Sequence, residues 1–517
     1  MALAVAFAMA GCGASSGAPA SGTASTGASD TQQDDATGSE TASEVAEKEV
    51  FVPELIAEYE AEDASFIGNV KADSTSDGYS GTGYAAGFNK VDEDSLDLNI
   101  SVPEDGFYDL VFTTRAAGYK ENYLSLDGES VGTIVTDSSD FSDYTFRHAY
   151  LTAGDHTVRV TAYWGYIDLD RMAVYTAEPV DESFYAISAG LSNPNASDNA
   201  KRLYSFMLDE YGKRSLSGQY CDDGVFGKEF VAIEKVTGKK PAVLGMDMMN
   251  YSPTNQAHGA ASRTIELAQT AWDAGYIVTL CWHWTTPEKY VTGEWYSSFR
   301  PEASSIDLEK IMNGEDQEGY DLLVSDMDAI AEKLSILKEA DVPILWRPLH
   351  EAGGGWFWWG EKGSEPYLAL YKLMYDKFVN EYHLDNLIWL WNGQKADWYP
   401  GDEYVDIIGE DIYPGNHVYT SQANKYYTAV DYTPNRKLVV LSENGCVPDP
   451  TLMKRDGAMW GFWCTWSGEF TAKNTAVYAY SDEYTERDKI NEFYASGLTI
   501  TGEDLPDLKN YPIREGL

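Results

Sequence analysis

The chain has 517 residues, with 37 Lys and Arg against 83 Asp and Glu, a formal charge of −46. So acidic a chain lacks the basic footprint that replaces phosphate counterions, which excludes a nucleic-acid binder and electrostatic docking on anionic lipid. Apolar residues at 44% and aromatics at 13% exclude wholesale disorder, and the length allows two or three separate cores. The 15 Trp and 36 Tyr offer flat apolar faces with a polar tip, which suit neutral polar ligands such as sugars as well as ordinary cores.

The chain opens with a short apolar run that ends Met9-Ala-Gly-Cys12. It is too short to span a bilayer as a helix and fits an export segment. It resembles a bacterial lipobox, which implies lipidation at Cys12 and an extracellular, cell-surface protein; a plain secretory signal is the alternative. The charged start of such a segment is missing, and Met9 stands where Leu is usual. Residues 13–48 are mostly Gly, Ser, Ala and Thr with scattered acids, too little apolar surface to offset ordering entropy, and read as a flexible tether. Membrane contact is expected only through the lipid, and the protein is expected to be a monomer. Cys221, Cys281, Cys446 and Cys464 form no Cys-x-x-Cys pair, so a zinc site is disfavoured and buried free thiols are expected.

Residues 49–178 carry short alternating runs separated by turn signals. Ser95–Val102, Phe107–Thr113, Asn122–Leu126, Thr145–Leu151 and His156–Tyr163 alternate with period two. Pro103-Glu-Asp-Gly106, Asp127-Gly128 and Ala153-Gly-Asp155 punctuate them. This spacing predicts an all-β, jelly-roll-like sandwich. The run Ala57-Glu-Tyr-Glu-Ala-Glu62, the segment Lys120-Glu-Asn-Tyr-Leu-Ser-Leu-Asp-Gly128, the turn Leu151-Thr-Ala-Gly-Asp-His-Thr-Val158 and the close Trp164-Gly-Tyr-Ile-Asp-Leu-Asp170 resemble carbohydrate-binding modules of family 35. That resemblance implies a structural Ca²⁺ held by Glu58, Glu60 and Asp170, oxygen ligands of the type calcium prefers. Solvated surface acids are the plain alternative. Trp164, Tyr119 and Asn122 fall on predicted loops as a candidate sugar platform.

Over residues 179–517 the period changes. Eight strand-like runs, Ser215–Tyr220, Ala242–Met249, Tyr276–Trp284, Ile344–Glu351, Leu387–Asn392, Ile407–Tyr413, Leu438–Glu443 and Trp460–Trp466, alternate with helical segments. Ser262–Ala274, Asp321–Ala340 and Ser364–Tyr382 are three of these helices, the last with Ser364 as N-cap. Eight strand–helix repeats predict a (β/α)8 TIM barrel, whose active site lies where the strands end. There stand Trp282-His-Trp284, Arg347-Pro-Leu-His-Glu351, Asp411-Ile-Tyr413, Ser442-Glu-Asn-Gly445, and Trp460, Trp463 and Trp466. No phosphate loop and no metalloenzyme spacing accompany them. Two opposed carboxylates suit glycoside hydrolysis, in which one protonates the leaving oxygen and the other meets positive charge at the anomeric carbon.

The run Trp346-Arg-Pro-Leu-His-Glu-Ala-Gly-Gly-Gly-Trp-Phe-Trp-Trp-Gly360 resembles glycoside hydrolase family 26, best known for endo-β-1,4-mannanases. Ser217-Gly-Gln219, Trp282-His-Trp284, Asp411-Ile-Tyr-Pro414 and Leu441-Ser-Glu-Asn-Gly445 support it. The resemblance implies Glu351 as acid/base and Glu443 as nucleophile, with no catalytic cofactor. It implies that His350 orients Glu443 or binds sugar, that Tyr413 hydrogen-bonds the nucleophile, and that His283 contacts the same sugar. Trp356 and Trp463 would stack on sugar faces, with Trp460 or Trp466 as rival platforms. Asp411 and Arg347 are read as a charged network beneath the site. The substrate implied is a β-mannan-type polysaccharide. A β-1,3-1,4-glucanase or β-1,3-xylanase of the same family, or a non-catalytic glycan-capturing lipoprotein, are the alternatives.

Overall fold

The computed structural model describes residues 51–187, 190–473 and 478–517. The lipidation expected at Cys12 and the tether 13–48 lie outside them. Two hydrophobic cores form, one within the N-terminal sandwich and one within the barrel.

The sandwich has eleven strands: β1 (Leu55–Glu60), β2 (Ser65–Ile67), β3 (Lys71–Asp73), β4 (Tyr84–Ala86), β5 (Ser95–Val102), β6 (Gly106–Arg115), β7 (Lys120–Leu126), β8 (Glu129–Thr136), β9 (Ser142–Leu151), β10 (Gly154–Trp164) and β11 (Asp168–Thr176). One sheet runs β3-β4-β11-β6-β9 with β1 on β11, and the other runs β2-β5-β10-β7-β8. Alternation explains the packing. In β5, Leu96, Leu98, Ile100 and Val102 are buried, while Asn99 and Ser101 are exposed. Sequence reading missed β1 to β4, β8 and β11, whose short, Gly-containing or acid-bearing runs alternate poorly.

The barrel strands are β12 (Ser215–Tyr220), β13 (Val243–Asp247), β14 (Ile277–Cys281), β15 (Ile344–Arg347), β16 (Leu387–Trp391), β17 (Ile407–Ile412), β18 (Leu438–Asn444) and β19 (Phe462–Thr465). All pair in parallel, and β12 pairs with both β13 and β19, closing the ring. Burial on both faces gives the near-continuous apolar runs that mark such strands. Several expected boundaries move. The third and fourth strands end at Cys281 and Arg347, short of Trp284 and Glu351. Leu349 and Glu351 both have positive φ, 49° and 53°, which no strand can continue. Gly363 rather than Ser364 caps its helix, because its φ of 93° turns the chain before the first helical residue. Cys221, Cys281, Cys446 and Cys464 are free and buried.

The sandwich is fixed to the side of the barrel. Strand β9 lies across the barrel helix Ala423–Val430. The Arg147 amide donates to Asn424 Oδ1 at 2.9 Å, and Asn424 Nδ2 donates to the Tyr144 hydroxyl at 2.9 Å. Arg147 pairs with Asp431, and the His148 ring lies 4.1 Å from that of Tyr427.

Candidate active site

Strand ends bring three carboxylates together: Glu351 beyond β15, Asp411 near the end of β17 and Glu443 near the end of β18. One oxygen of each lies within 4.8 Å of the others. Placing that much like charge in one buried site is unfavourable unless some is neutralised. Arg347, fully buried at the end of β15, does so asymmetrically. Its Nη1 donates to Asp411 at 2.6 Å and its Nη2 to Glu443 at 2.7 Å. Its remaining donors reach the Tyr220 hydroxyl and Asn392 Oδ1, so the guanidinium is saturated and cannot turn toward Glu351. Ser442 Oγ donates to the second Asp411 oxygen at 2.6 Å. Asp411 and Arg347 thus form the charged network read from the sequence, with Arg347 also gripping Glu443.

The two glutamates therefore differ. Burial, then the charges of Asp411 and Glu443, push Glu351 well above the ordinary carboxylate range. Glu443 is pushed up to about 6 by burial and Asp411, while Arg347 and Tyr413 hold it down. Tyr413 donates its hydroxyl to Glu443 Oε1. Trp356 Nε1 donates to Glu351 Oε2 at 2.7 Å, and its ring is 41% exposed at the mouth. Near pH 7 the arrangement favours a protonated Glu351 facing an ionised Glu443, the split an acid and a nucleophile need. The backbone holds Glu351 in place: its amide donates to the Asn392 carbonyl at 2.7 Å. Its φ of 53° lies in the left-handed region, where a non-glycine residue is strained.

His283 and His350 stand beside this group. His283 Nδ1 lies 2.6 Å from Asp247 Oδ2, and its Nε2 lies 3.1 Å from His350 Nε2. The partner of His350 is thus His283, whereas Glu443 is held by Arg347 and Tyr413. Burial and the neighbouring Arg347 push His350 well below the usual imidazole range, so it is neutral. Its buried Nδ1 has no protein partner.

Trp463 is a correction. It lies within β19 and is wholly enclosed in the core, so no sugar can reach its face. Trp460 is equally enclosed, donating Nε1 to the Ser421 carbonyl at 2.9 Å. Trp466, just past the strand, is the half-buried one, 4.7 Å from Tyr220 and 5.9 Å from His283 by ring centroid. Trp358 and Trp359 pack the loop after Glu351, donating to the carbonyls of Trp284 and His350. Asp247, Tyr220 and Asn392 were not singled out in the sequence. An acid inside the apolar run Leu244–Met249 was the available signal for Asp247.

In the sandwich, Trp164 and Tyr119 are exposed, with ring centroids 5.6 Å apart. Asn122 is not on a loop. It sits inside β7, fully buried, its Oδ1 accepting from the Tyr163 amide at 3.2 Å, so it cannot touch a ligand at the surface. Glu60 and Asp170 converge, since Ser80 Oγ donates to both at 2.8 and 3.2 Å. Glu62 lies beside them: its Oε1 accepts from the Thr82 and Gly83 amides, while its buried Oε2 has no partner. A Cβ at Gly81 would stand 2.5 Å from Glu62 and 3.0 Å from Glu60. Glu58 is turned away toward Arg171, 3.9 Å off. A carboxylate oxygen without a partner is a ligand type that a hard cation takes. Ser80 and Gly81 thus neighbour Glu60, Glu62 and Asp170 and not Glu58, and these three acids do not bring their oxygens within 4.8 Å of one another.

The profile of Glycosyl hydrolase family 26 matches residues 192–489, more than half of the chain. The chain belongs to glycosyl hydrolase family 26. It is a glycoside hydrolase, and residues 57–177 match Carbohydrate binding module (family 35). A mannan endo-1,4-beta-mannosidase of Thermothelomyces thermophilus is 34% identical over 453 residues, 86% of this chain and 90% of that protein. Mannan endo-1,4-beta-mannosidase B of Piromyces sp. is 33% identical, covering 89% of this chain and 79% of its own length. The crystal structure of a Podospora anserina GH26-CBM35 beta-(1,4)-mannanase superposes with a TM-score of 0.61 at 32% identity, covering 89% of this chain and 99% of that one. This family 26 chain shares with it both the barrel and the preceding module.

Proposed function

We propose that this chain is a retaining endo-β-1,4-mannanase that hydrolyses mannan, glucomannan or galactomannan. The observation that carries the chemistry is the approach of Glu351 and Glu443 to within 4.8 Å across a guanidinium that contacts only one of them. Retaining enzymes place their carboxyl groups about 5–5.5 Å apart, and inverting ones leave roughly 6.5–9.5 Å for a water. Glu443 attacks the anomeric carbon while Glu351 gives its proton to the departing glycosidic oxygen. A covalent glycosyl-enzyme forms and the aglycone leaves. Glu351, now a carboxylate, takes a proton from water, the oxygen attacks the anomeric carbon, and Glu443 is released. Asp247 orients His283 beside the sugar and, through it, the buried His350 beneath. Trp466 and Trp356 supply apolar faces on either side. The relatives named for mannan support the choice of polysaccharide.

Hydrolysis of mannan, mixed-linkage glucan and β-1,3-xylan tests the substrate; turnover of glucan alone would overturn the mannan assignment. Proton NMR of the earliest product tests the stereochemistry, with the β-anomer expected. Glu443→Ala that turns over an activated mannoside at the wild-type rate would remove the catalytic reading.

Three finer readings are proposed with it. The sandwich holds Ca²⁺ through Glu60, Glu62 and Asp170; calcium should raise Tm, a chelator should lower it, and Glu62→Gln should abolish the difference. Trp164 and Tyr119 bind the polysaccharide. Cys12 is lipidated and anchors an extracellular enzyme; radiolabelled fatty acid should enter the wild type and not Cys12→Ser.

A further inference from the structure

The aromatic pair of the sandwich does not stand apart from the catalytic face. Lys395, exposed on the loop after β16, places its Nζ 5.6 Å from the centre of the Tyr119 ring. The same lysine runs along the glycine loop that follows Glu351: a Cβ on Gly353 would meet Lys395 Cγ at 2.9 Å. The Gly353 amide donates to the Gly393 carbonyl at 3.0 Å, tying the two loops together. Gly353 is two residues from Glu351. One lysine side chain therefore spans the gap between the module and the acid/base loop.

The module cannot swing away from this position freely. Strand β9 is held on helix Ala423–Val430 by the Arg147, Tyr144 and His148 contacts, and Arg455 adds its guanidinium 4.6 Å from the Tyr150 ring. Tyr119 is itself oriented, its hydroxyl donating to Glu121. Trp164 meets it edge to face at 63°. Tyr166, two residues after Trp164, is also exposed, at 63%. Exposed rings alternating with an ammonium donor suit a neutral polyol chain, which presents C–H faces and hydroxyls in turn.

We propose that Lys395, Tyr119 and Trp164 form distal subsites of the catalytic cleft, so that one β-mannan chain lies across the barrel mouth and the module at once. This rests on the mannanase reading and adds that the module extends the active site instead of capturing a separate stretch of polysaccharide. The chemistry assigned to each part is distinct: Lys395 donates hydrogen bonds to hydroxyls, and the two rings stack on sugar faces.

The test is the chain-length dependence of kcat/KM on linear manno-oligosaccharides, for the wild type, Lys395→Ala and the double variant Tyr119→Ala, Trp164→Ala. For the wild type, kcat/KM should step up at the length that first reaches the pair. The double variant should match the wild type on short substrates and lose that step, about tenfold, roughly the loss expected for one ordinary subsite contact. Cleavage positions on end-labelled long substrates should shift with it, and Lys395→Ala should show a smaller loss at the same length. Profiles that remain parallel at every length would overturn the proposal, even if the double variant bound insoluble mannan more weakly. A wild type inactive on every manno-oligosaccharide would instead overturn the mannanase reading.

Discussion

Tyr413→Phe isolates one hydrogen bond at Glu443, the proposed nucleophile. The hydroxyl donates to Glu443 Oε1, while Arg347 holds Oε2 from the other side at 2.7 Å. Both partners favour the carboxylate over the acid, against burial and Asp411, which favour the acid. Removing the hydroxyl leaves Arg347 in place, so the geometry of attack survives and the proton balance changes. A hydrogen bond to a charged group contributes about 1.5–3 kcal/mol, and one pKa unit corresponds to about 1.36 kcal/mol. The Glu443 pKa, about 6 in the wild type, should therefore rise by roughly 1–2 units. Attack requires the ionised form, so activity appears as pH rises through this value. The acidic limb of kcat/KM, which reports the free enzyme, should move upward by that amount. The variant should lose far more at pH 6 than at pH 8. The assay is kcat/KM against pH on a soluble manno-oligosaccharide. An acidic limb that stays in place or moves downward would refute the assignment of Glu443 as the group that must be ionised.

Glu351→Ala should slow substrates with poor leaving groups by about 10²–10⁴-fold and activated aryl mannosides much less in the glycosylation step, because only the former need the proton; equal losses in pre-steady-state measurements would count against the acid role. Trp463 and Trp466 should separate in effect: Trp463→Ala should cost about 3–5 kcal/mol of stability, seen as a lower denaturation midpoint, while Trp466→Ala should keep the midpoint and lower kcat/KM. His148, buried between Phe107 and Tyr427, is held down to about 4 by burial and Arg147. Its ordinary unfolded pKa is about 6.5, so the stability tied to its neutral form is full above that and declines as pH falls from 6.5 to 4, by up to about 3 kcal/mol. His148→Asn, which tolerates the φ of 60°, should flatten chemical-denaturation stability over that window; parallel curves for the two proteins would refute the linkage.

Much of the architecture is local in origin. Period-two alternation in runs such as Ser95–Val102, and apolar runs such as Leu387–Trp391 between helical segments, announce an antiparallel sandwich and a parallel barrel from side-chain periodicity alone. Because barrel chemistry gathers where strands end, strand order together with the family 26 resemblance singled out Glu351 and Glu443 as candidates without any coordinates. Local periodicity ends where the chain leaves the sheet. The chain turns out of the strand with positive φ at Leu349 and Glu351, and the Glu351 amide then bonds the Asn392 carbonyl, 41 residues further on, so the fourth strand was read too long.

Side-chain partnership was the other thing hidden. Which of Trp460, Trp463 and Trp466 faces solvent depends on how β19 turns against β12 and β18, and three tryptophans at three-residue spacing look alike in sequence. Asn122, at the start of the run Asn122–Leu126, was placed at a loop edge, yet the strand begins at Lys120 and pairing with Ile134 and Ala162 buries Asn122 within β7. The sequence alone determined the two domains, the acidity that keeps polyanions away, and the pair of glutamates at two strand ends. Tertiary structure alone decided that Arg347 grips Glu443 and not Glu351, that Asp247 anchors His283, and that Lys395 lies between Tyr119 and the Gly353 loop. Each of these depends on distances between segments far apart in the chain, which charge, composition and periodicity do not encode.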